Sequence, residues 1–245
     1  MTEGVVQRIR AAGGEIYAIS SEPQRLADEA HRDWELDFDS VGDPHQEIPA
    51  ICSARGWLTL YANKGDLDFL QRGTDWTVEH PKGFFQPGVL ALAADGRVLY
   101  RWRSVPSVEN LNGTTARPTA RHAWRHIKRS LAKGNGAGDA PHDDHPEIDQ
   151  APPPRLLFFT ALIANGWFFR VKSFAHNPGS KPVPRRFMAA LSRWVLFFAF
   201  WAGALAVLPT LWVGLAFGLW LSWIVRDLRR TMGALDAQVE LSGER

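Results

Sequence analysis

The strongest constraint on this chain is a stretch without charge. From Trp194 to Val225, 32 consecutive residues include no Asp, Glu, Lys or Arg. That is well beyond the length at which an apolar run reads as a membrane span. From Phe187 onward the single charge before Arg226 is Arg193. One helix of this length would measure about 48 Å, too long for a hydrocarbon core of about 30 Å. Pro209 lies near the middle, between Leu208 and Thr210. Two tight spans need roughly 17–19 residues each, so the pattern predicts a transmembrane α-helical hairpin over 187–226 that turns within Val207–Thr210. Arg185, Arg186 and Arg193 flank the entry, and Arg226, Arg229 and Arg230 flank the exit. Lys and Arg gather on the cytoplasmic side, so both ends are expected there. Five of the 11 Trp lie in this block, which suits a residue favoured at the membrane interface. The opposing reading is a core helix of a soluble protein, but no other part of the chain has the surface to cover it.

The first 133 residues read as an α/β unit. Glu3–Ala12 has Val5, Ile9 and Ala12 on one helical face, and Gly13-Gly14 ends it. "EIYAIS" (Glu15–Ser20) is a short apolar run of buried-strand type. "EPQRLADEAHRDW" is helical, with Leu26, Ala27, Ala30 and Trp34 as its stripe. "DFDSVGDPH" reads as a turn, and "EIPAICSARG" as a short helix weakened by Pro49. Residues 57–85 read as irregular, with one helical turn near "GDLDFLQRG". Val89–Ala93 and Arg97–Arg103 read as two strands joined by Asp95-Gly96, whose hairpin turn asks for positive φ at both central residues. "RPTARHAWRHIKRSLAK" is a helix with Ala120, Ala123, Trp124, Ile127 and Leu131 on one face.

Beyond it, 134–154 is a flexible linker by its Gly, Pro, Asp and His content. Residues 155–186 hold a short apolar segment, Arg155–Phe169, expected to lie at the interface or to re-enter rather than to span, and a basic linker. Residues 227–245 read as a polar tail.

"AAGGEIYAISSEP", "DSVGDPHQEIPAICSARG", "QPGVLALAADGRVLYRW" and "ENLNGTTARP", in this order, resemble the peroxiredoxin-like (alkyl hydroperoxide reductase and thiol-specific antioxidant) branch of the thioredoxin-fold superfamily. The resemblance covers roughly residues 3–132. It implies a thioredoxin-like domain, an antioxidant oxidoreductase class and thiol-dependent reduction of a peroxide or disulfide. It also implies a cis-proline at Pro87. In that family the peroxidatic Cys lies at the N-terminus of the helix here represented by Glu3–Ala12, after a central strand, because the helix end lowers the thiol pKa. This chain reaches that helix at Met1. The expected fold is therefore an incomplete thioredoxin-like domain whose central strand, between "EIYAIS" and "GVLALA", is missing. An upstream start, a family member that has lost its site, and a strand supplied by a partner each account for this. No catalytic residue carries over, nor does the family's active-site Arg. A non-catalytic membrane adaptor on the same scaffold is the alternative function.

Cys52 is the single cysteine, which rules out an intrachain disulfide, a Cys-x-x-Cys pair and a cysteine zinc site. It shares a helical face with Ile48 and Ile51, so it is expected in the core, as a structural thiol. "HDDHPE" (His142–Glu147) offers metal-ligand types, but within a linker that supplies nothing to orient them. His122 and His126 have metal-capable i, i+4 spacing, with no acidic partner nearby in sequence, and are expected at the surface. No metal or cofactor is expected. Arg121, Arg125, Lys128, Arg129 and Lys133 form a basic face on the same helix, either simply solvated or facing anionic lipid.

Net charge is +2 and selects no partner. The expected partners are the bilayer, a thiol reductant protein and a second copy of the chain, and not nucleic acid. No signal-peptide pattern, phosphate-binding glycine loop, Ser-His-Asp signature or internal repeat is present. The expected location is a membrane, the bacterial inner membrane by composition, with two spans and with the soluble domain and C-terminus cytoplasmic.

Overall fold

The computed structural model describes residues 4–65, 77–113, 117–134, 136–148, 154–163 and 183–241. The helical turn expected near "GDLDFLQRG" lies outside the described residues. The chain divides into two compact units: 1–64, 78–152 and 237–245 form one, and 65–77 and 153–236 the other.

The first unit mixes helices and strands. It begins with α1 (Val5–Ala11), β1 (Tyr17–Ser20) and α2 (Gln24–Asp33). The stretch expected to be a turn contains β2 (Asp39–Gly42), parallel to β1 from Tyr17↔Asp39 to Ser20↔Gly42. Four residues with one large apolar side chain, Val41, are too few to show a strand period, and the pairing that defines β2 is non-local. α3 (Glu47–Ala54) follows. Its Pro49 is tolerated because the first-turn N–H groups of a helix have no partner in the helix. Asp43 accepts from two such groups, Glu47 N and Ile48 N, each at 2.9 Å.

Strands also occur in the region expected to be irregular: β3 (Tyr61–Asn63) and β4 (Phe84–Phe85) pair antiparallel. The hairpin of β5 (Gly88–Leu92) and β6 (Val98–Arg103) forms as expected. Its turn differs. Gly96 has φ 86 and Asp95 is not left-handed; Gly96 N donates to Ala93 O at 3.0 Å and Ala93 N to Arg97 O at 2.8 Å. This is a three-residue loop closed by a left-handed glycine. α4 (Ala120–Ala132) completes the helices of the unit, with Thr119 Oγ1 accepting from His122 N at 3.1 Å. Such a cap contributes about 1 kcal/mol.

The polar tail is a correction. Its first part continues a helix of the second unit to Asp236, and Gln238–Glu240 form β7, antiparallel to β3. Three sheets result among the described residues: β1–β2, β4–β3–β7 and β5–β6. The core holds Val5 and Val6 of α1, Leu26 and Ala27 of α2, Ala62, the β6 residues Val98, Leu99, Tyr100 and Trp102, and Trp124 of α4. β1 pairs only with β2 among the described residues, and its Tyr17 and Ile19 stay 58% and 45% exposed.

The flexible linker is a second correction. Asp139–Ile148 lies along the free edge of β6 and the start of α4. Val98 N donates to Asp139 Oδ1 at 2.8 Å, Ala140 N to Val98 O at 2.9 Å, Asp143 N to Arg101 O at 3.0 Å and Thr119 N to Glu147 O at 2.8 Å. A buried strand needs partners on both edges, and this segment supplies them despite its composition.

The second unit contains α5 (Arg155–Ile163), α6 (Val183–Val207) and α7 (Thr210–Asp236). α6 and α7 are separated at Leu208-Pro209, where the turn was expected. Rings cross between them: Phe197 to Trp220 at 4.9 Å and Trp201 to Phe217 at 5.1 Å. Residues rising along one helix meet residues falling along the other, so the pair is antiparallel. α5 lays Phe159 against Ile224 and Leu235, and Trp194 Nε1 donates to Thr160 O at 3.2 Å. One helix among the described residues, α7, is long and apolar enough to cross a membrane, with mean hydropathy 1.3; α6 has a shorter apolar stretch, Leu191–Val207.

Candidate functional site

The resemblance singled out Pro87, and the helical pattern placed Cys52 in the core. No cis peptide bond occurs among the described residues, so Pro87 is trans. The chain runs extended through it, with Gln86 N donating to Tyr61 O and Ser104 N to Pro87 O, both at 2.8 Å. Cys52 is half-buried rather than in the core, and Ile51 beside it is 53% exposed. It lies in the second half of α3, away from the favourable N-terminal potential. Burial pushes its thiol above the ordinary value, against a smaller opposing effect of Arg55.

The structure brings together two groups that looked unrelated in sequence. His122 and His126 on α4 meet Asp143 of the former linker. His122 is 8% exposed, a correction to its expected surface position, because Asp139–Ile148 covers that side of α4. His122 Nε2 lies 2.7 Å from Asp143 Oδ2, and Tyr100 donates its hydroxyl to the same oxygen at 2.8 Å. The His126 ring lies against His122, with centroids 4.4 Å apart, and against Tyr100 at 5.7 Å. Glu147 Oε2 is 3.9 Å from His122 Nδ1 and is held by Arg125 at 2.6 Å.

Each element has a local reason to place its side chain. The Thr119 cap starts α4 three residues before His122, and helical periodicity stacks His126 one turn later. Strand alternation turns Tyr100 to the same face of β6 as Val98 and Trp102. The Asp143 N to Arg101 O bond fixes where its carboxylate enters.

The electrostatics favour an ionised Asp143 carboxylate. Burial raises the Asp143 carboxyl, but its bonds from His122 and Tyr100 more than offset this and hold it below the ordinary value. Burial pushes the His126 imidazole down, helped by His122 and opposed by Asp143. Burial also pushes the Tyr100 hydroxyl well up, and its bond to Asp143 adds to this. The donor atoms of His122, His126 and Asp143 lie within 4.8 Å of one another. Two imidazoles and a carboxylate can hold a cation of borderline softness or pass a proton. The sequence signal was the i, i+4 histidine pair; its acidic partner was hidden by composition that reads as linker.

A second cluster ties β1 to β4. Ser21 Oγ lies 3.0 Å from His80 Nδ1 and accepts from Phe85 N at 3.1 Å. His80 Nε2 is 3.9 Å from Glu22, beyond hydrogen-bond reach. With Ser21 buried, the arrangement fastens backbone rather than presenting a nucleophile.

Arg121, Arg125, Lys128 and Arg129 of α4 and Lys133 just past its end are exposed, and Arg125 is paired with Glu147. No protein-family profile matches the chain, and neither does a curated protein or a solved structure.

Proposed function

We propose that the chain is a membrane-attached protein whose first unit is a thioredoxin-like, peroxiredoxin-related redox-family domain, and that these 245 residues do not themselves carry out thiol chemistry. The observation that carries the membrane reading is the β3–β7 pairing. It joins residues from before and after the apolar block into one unit. A unit built this way lies on one side of a bilayer, so the chain between its parts crosses an even number of times. Antiparallel α6 and α7 supply two crossings. The 27 residues of α7 give about 40 Å of helix. Ser222 Oγ donates to Gly218 O at 2.8 Å, which satisfies a hydroxyl within the apolar region. The basic clusters at both ends favour the cytoplasmic face for the first unit and the C-terminus, at a bacterial inner membrane by composition. The basic face of α4 suits contact with anionic headgroups.

The family reading rests on motif order, supported by β1 and the β5–β6 hairpin at the expected positions. The only thiol is half-buried, raised in pKa and remote from a helix N-terminus. The purified chain in detergent is therefore expected to show no thiol-dependent hydroperoxide turnover, and Cys52 to react slowly with iodoacetamide at neutral pH. Turnover abolished by Cys52→Ser would overturn this reading.

A non-catalytic adaptor on the same scaffold is the second reading. The exposed Tyr17 and Ile19 on β1 favour it, because apolar strand residues left in water suit a protein-binding edge. A reductant protein or a second copy of the chain are the partners it would engage.

A further inference from the structure

We propose that His122, His126 and Asp143 bind a divalent transition-metal ion of the zinc class, with a fourth coordination position left to water. The inference stands apart from the redox-family reading and needs no thiol.

Geometry carries it. The three donor atoms already lie within 4.8 Å of one another. Tetrahedral zinc with bonds of about 2.0–2.2 Å separates its donors by roughly 3.4 Å. His122 and Asp143, now 2.7 Å apart, need open by less than about 1 Å to reach that spacing. A change of this size is within side-chain adjustment.

The arrangement has features that a His–Asp hydrogen bond alone does not require. His126 lies against His122 and Tyr100, yet among the described residues its ring nitrogens make no hydrogen bond. A third donor is thus available next to the pair. Tyr100 donates to Asp143 Oδ2 and so orients that carboxylate, and Glu147 Oε2 lies 3.9 Å from the other nitrogen of His122. Metal-binding histidines and carboxylates are oriented by outer partners of this kind. Glu147 is itself paired with Arg125, which offsets one of the cations nearest the site.

The donor set selects the ion. Two imidazoles and one carboxylate suit Zn2+, Co2+, Ni2+ or Cu2+, whereas Mg2+ and Ca2+ favour all-oxygen shells. Three protein ligands and one open position are the pattern of exchangeable, reactive zinc sites rather than closed structural ones. His142, Asp144 and His145 are exposed and stand outside the donor group, so "HDDHPE" contributes one ligand rather than a site of its own.

The test is metal titration of the tag-free chain in detergent after chelator treatment. Co2+ is expected to bind one per chain, with the visible ligand-field bands of a four-coordinate ion, and Zn2+ to displace it. His126→Ala keeps the Thr119 cap and the Tyr100–Asp143–His122 bonds, so it is expected to fold; it should weaken binding at least about tenfold. Asp143→Asn should do the same, while His142→Ala and His145→Ala should change nothing. Absence of binding, six-coordinate Co2+ spectra, or binding that survives His126→Ala and vanishes with His145→Ala would each overturn the proposal.

Discussion

The side-chain amide of Gln86 donates to Gln238 Oε1 at 2.9 Å across 152 residues of sequence. Gln86 is 1% exposed and its Oε1 has no hydrogen-bond partner among the described residues. The Gln238 bond is thus the side-chain partner of a nearly inaccessible amide, and it fastens β7 into the first unit. Gln238→Ala leaves that amide unpaired and should destabilise the unit by about 1–3 kcal/mol. Urea unfolding of the solubilised chain measures this; an unchanged midpoint would show that β7 adds nothing to the unit.

Asp143 sets the acid limit of the α4 site. Its folded pKa lies below the ordinary value, so the folded state binds the proton more weakly than the unfolded state. Its contribution is fully present above the unfolded pKa and is lost as pH falls through the folded one. Asp143→Asn should cost about 1.5–3 kcal/mol near neutral pH, the range for a hydrogen bond to a charged group. It should also flatten the acid limb of the stability curve. Equal pH dependence in both proteins would contradict the role assigned to Asp143.

The segment Asp139–Glu147 should behave as structure. Asp139, Asp143, Asp144 and Glu147 are cleavage positions for acid-specific proteases, and a flexible linker would be cut there quickly. Slow cleavage in the native chain is expected. Asp139→Ala removes the acceptor of Val98 N and should speed cutting at the remaining sites. Rapid cutting of the native chain at Asp143 or Asp144 would return the segment to linker status.

The parts legible in the sequence were those whose signal is local. The β5–β6 hairpin, α1, α2, α3, α4 and the break at Leu208-Pro209 each follow from periodicity or a turn residue within a short window. The parts that were missed owe their structure to distant partners. β2 has one large apolar residue and takes its identity from β1. β7 lies in a tail that looks polar and takes its identity from β3. The Asp, Pro and His content of 139–148 suggests solvent, yet four hydrogen bonds from β6, Arg101 and Thr119 hold the segment. The α4 site was half legible for the same reason: the His122–His126 spacing is local, but Asp143 reaches it only through that segment. The turn at Asp95-Gly96 was placed correctly but given the wrong geometry, because one left-handed residue suffices in a three-residue loop.

The central claim is that both ends of the apolar hairpin face the same side of a membrane. In a Cys52→Ser background, single cysteines at Asp95→Cys, in the β5–β6 turn, and at Leu208→Cys, between α6 and α7, are labelled with a membrane-impermeant maleimide in sealed vesicles. A C-terminal protease-sensitive tag reports the other end. Asp95→Cys and the tag are expected to be accessible in the same vesicle orientation, and Leu208→Cys only in the opposite one. A tag on the side opposite Asp95→Cys, or all three positions accessible together, would contradict the account.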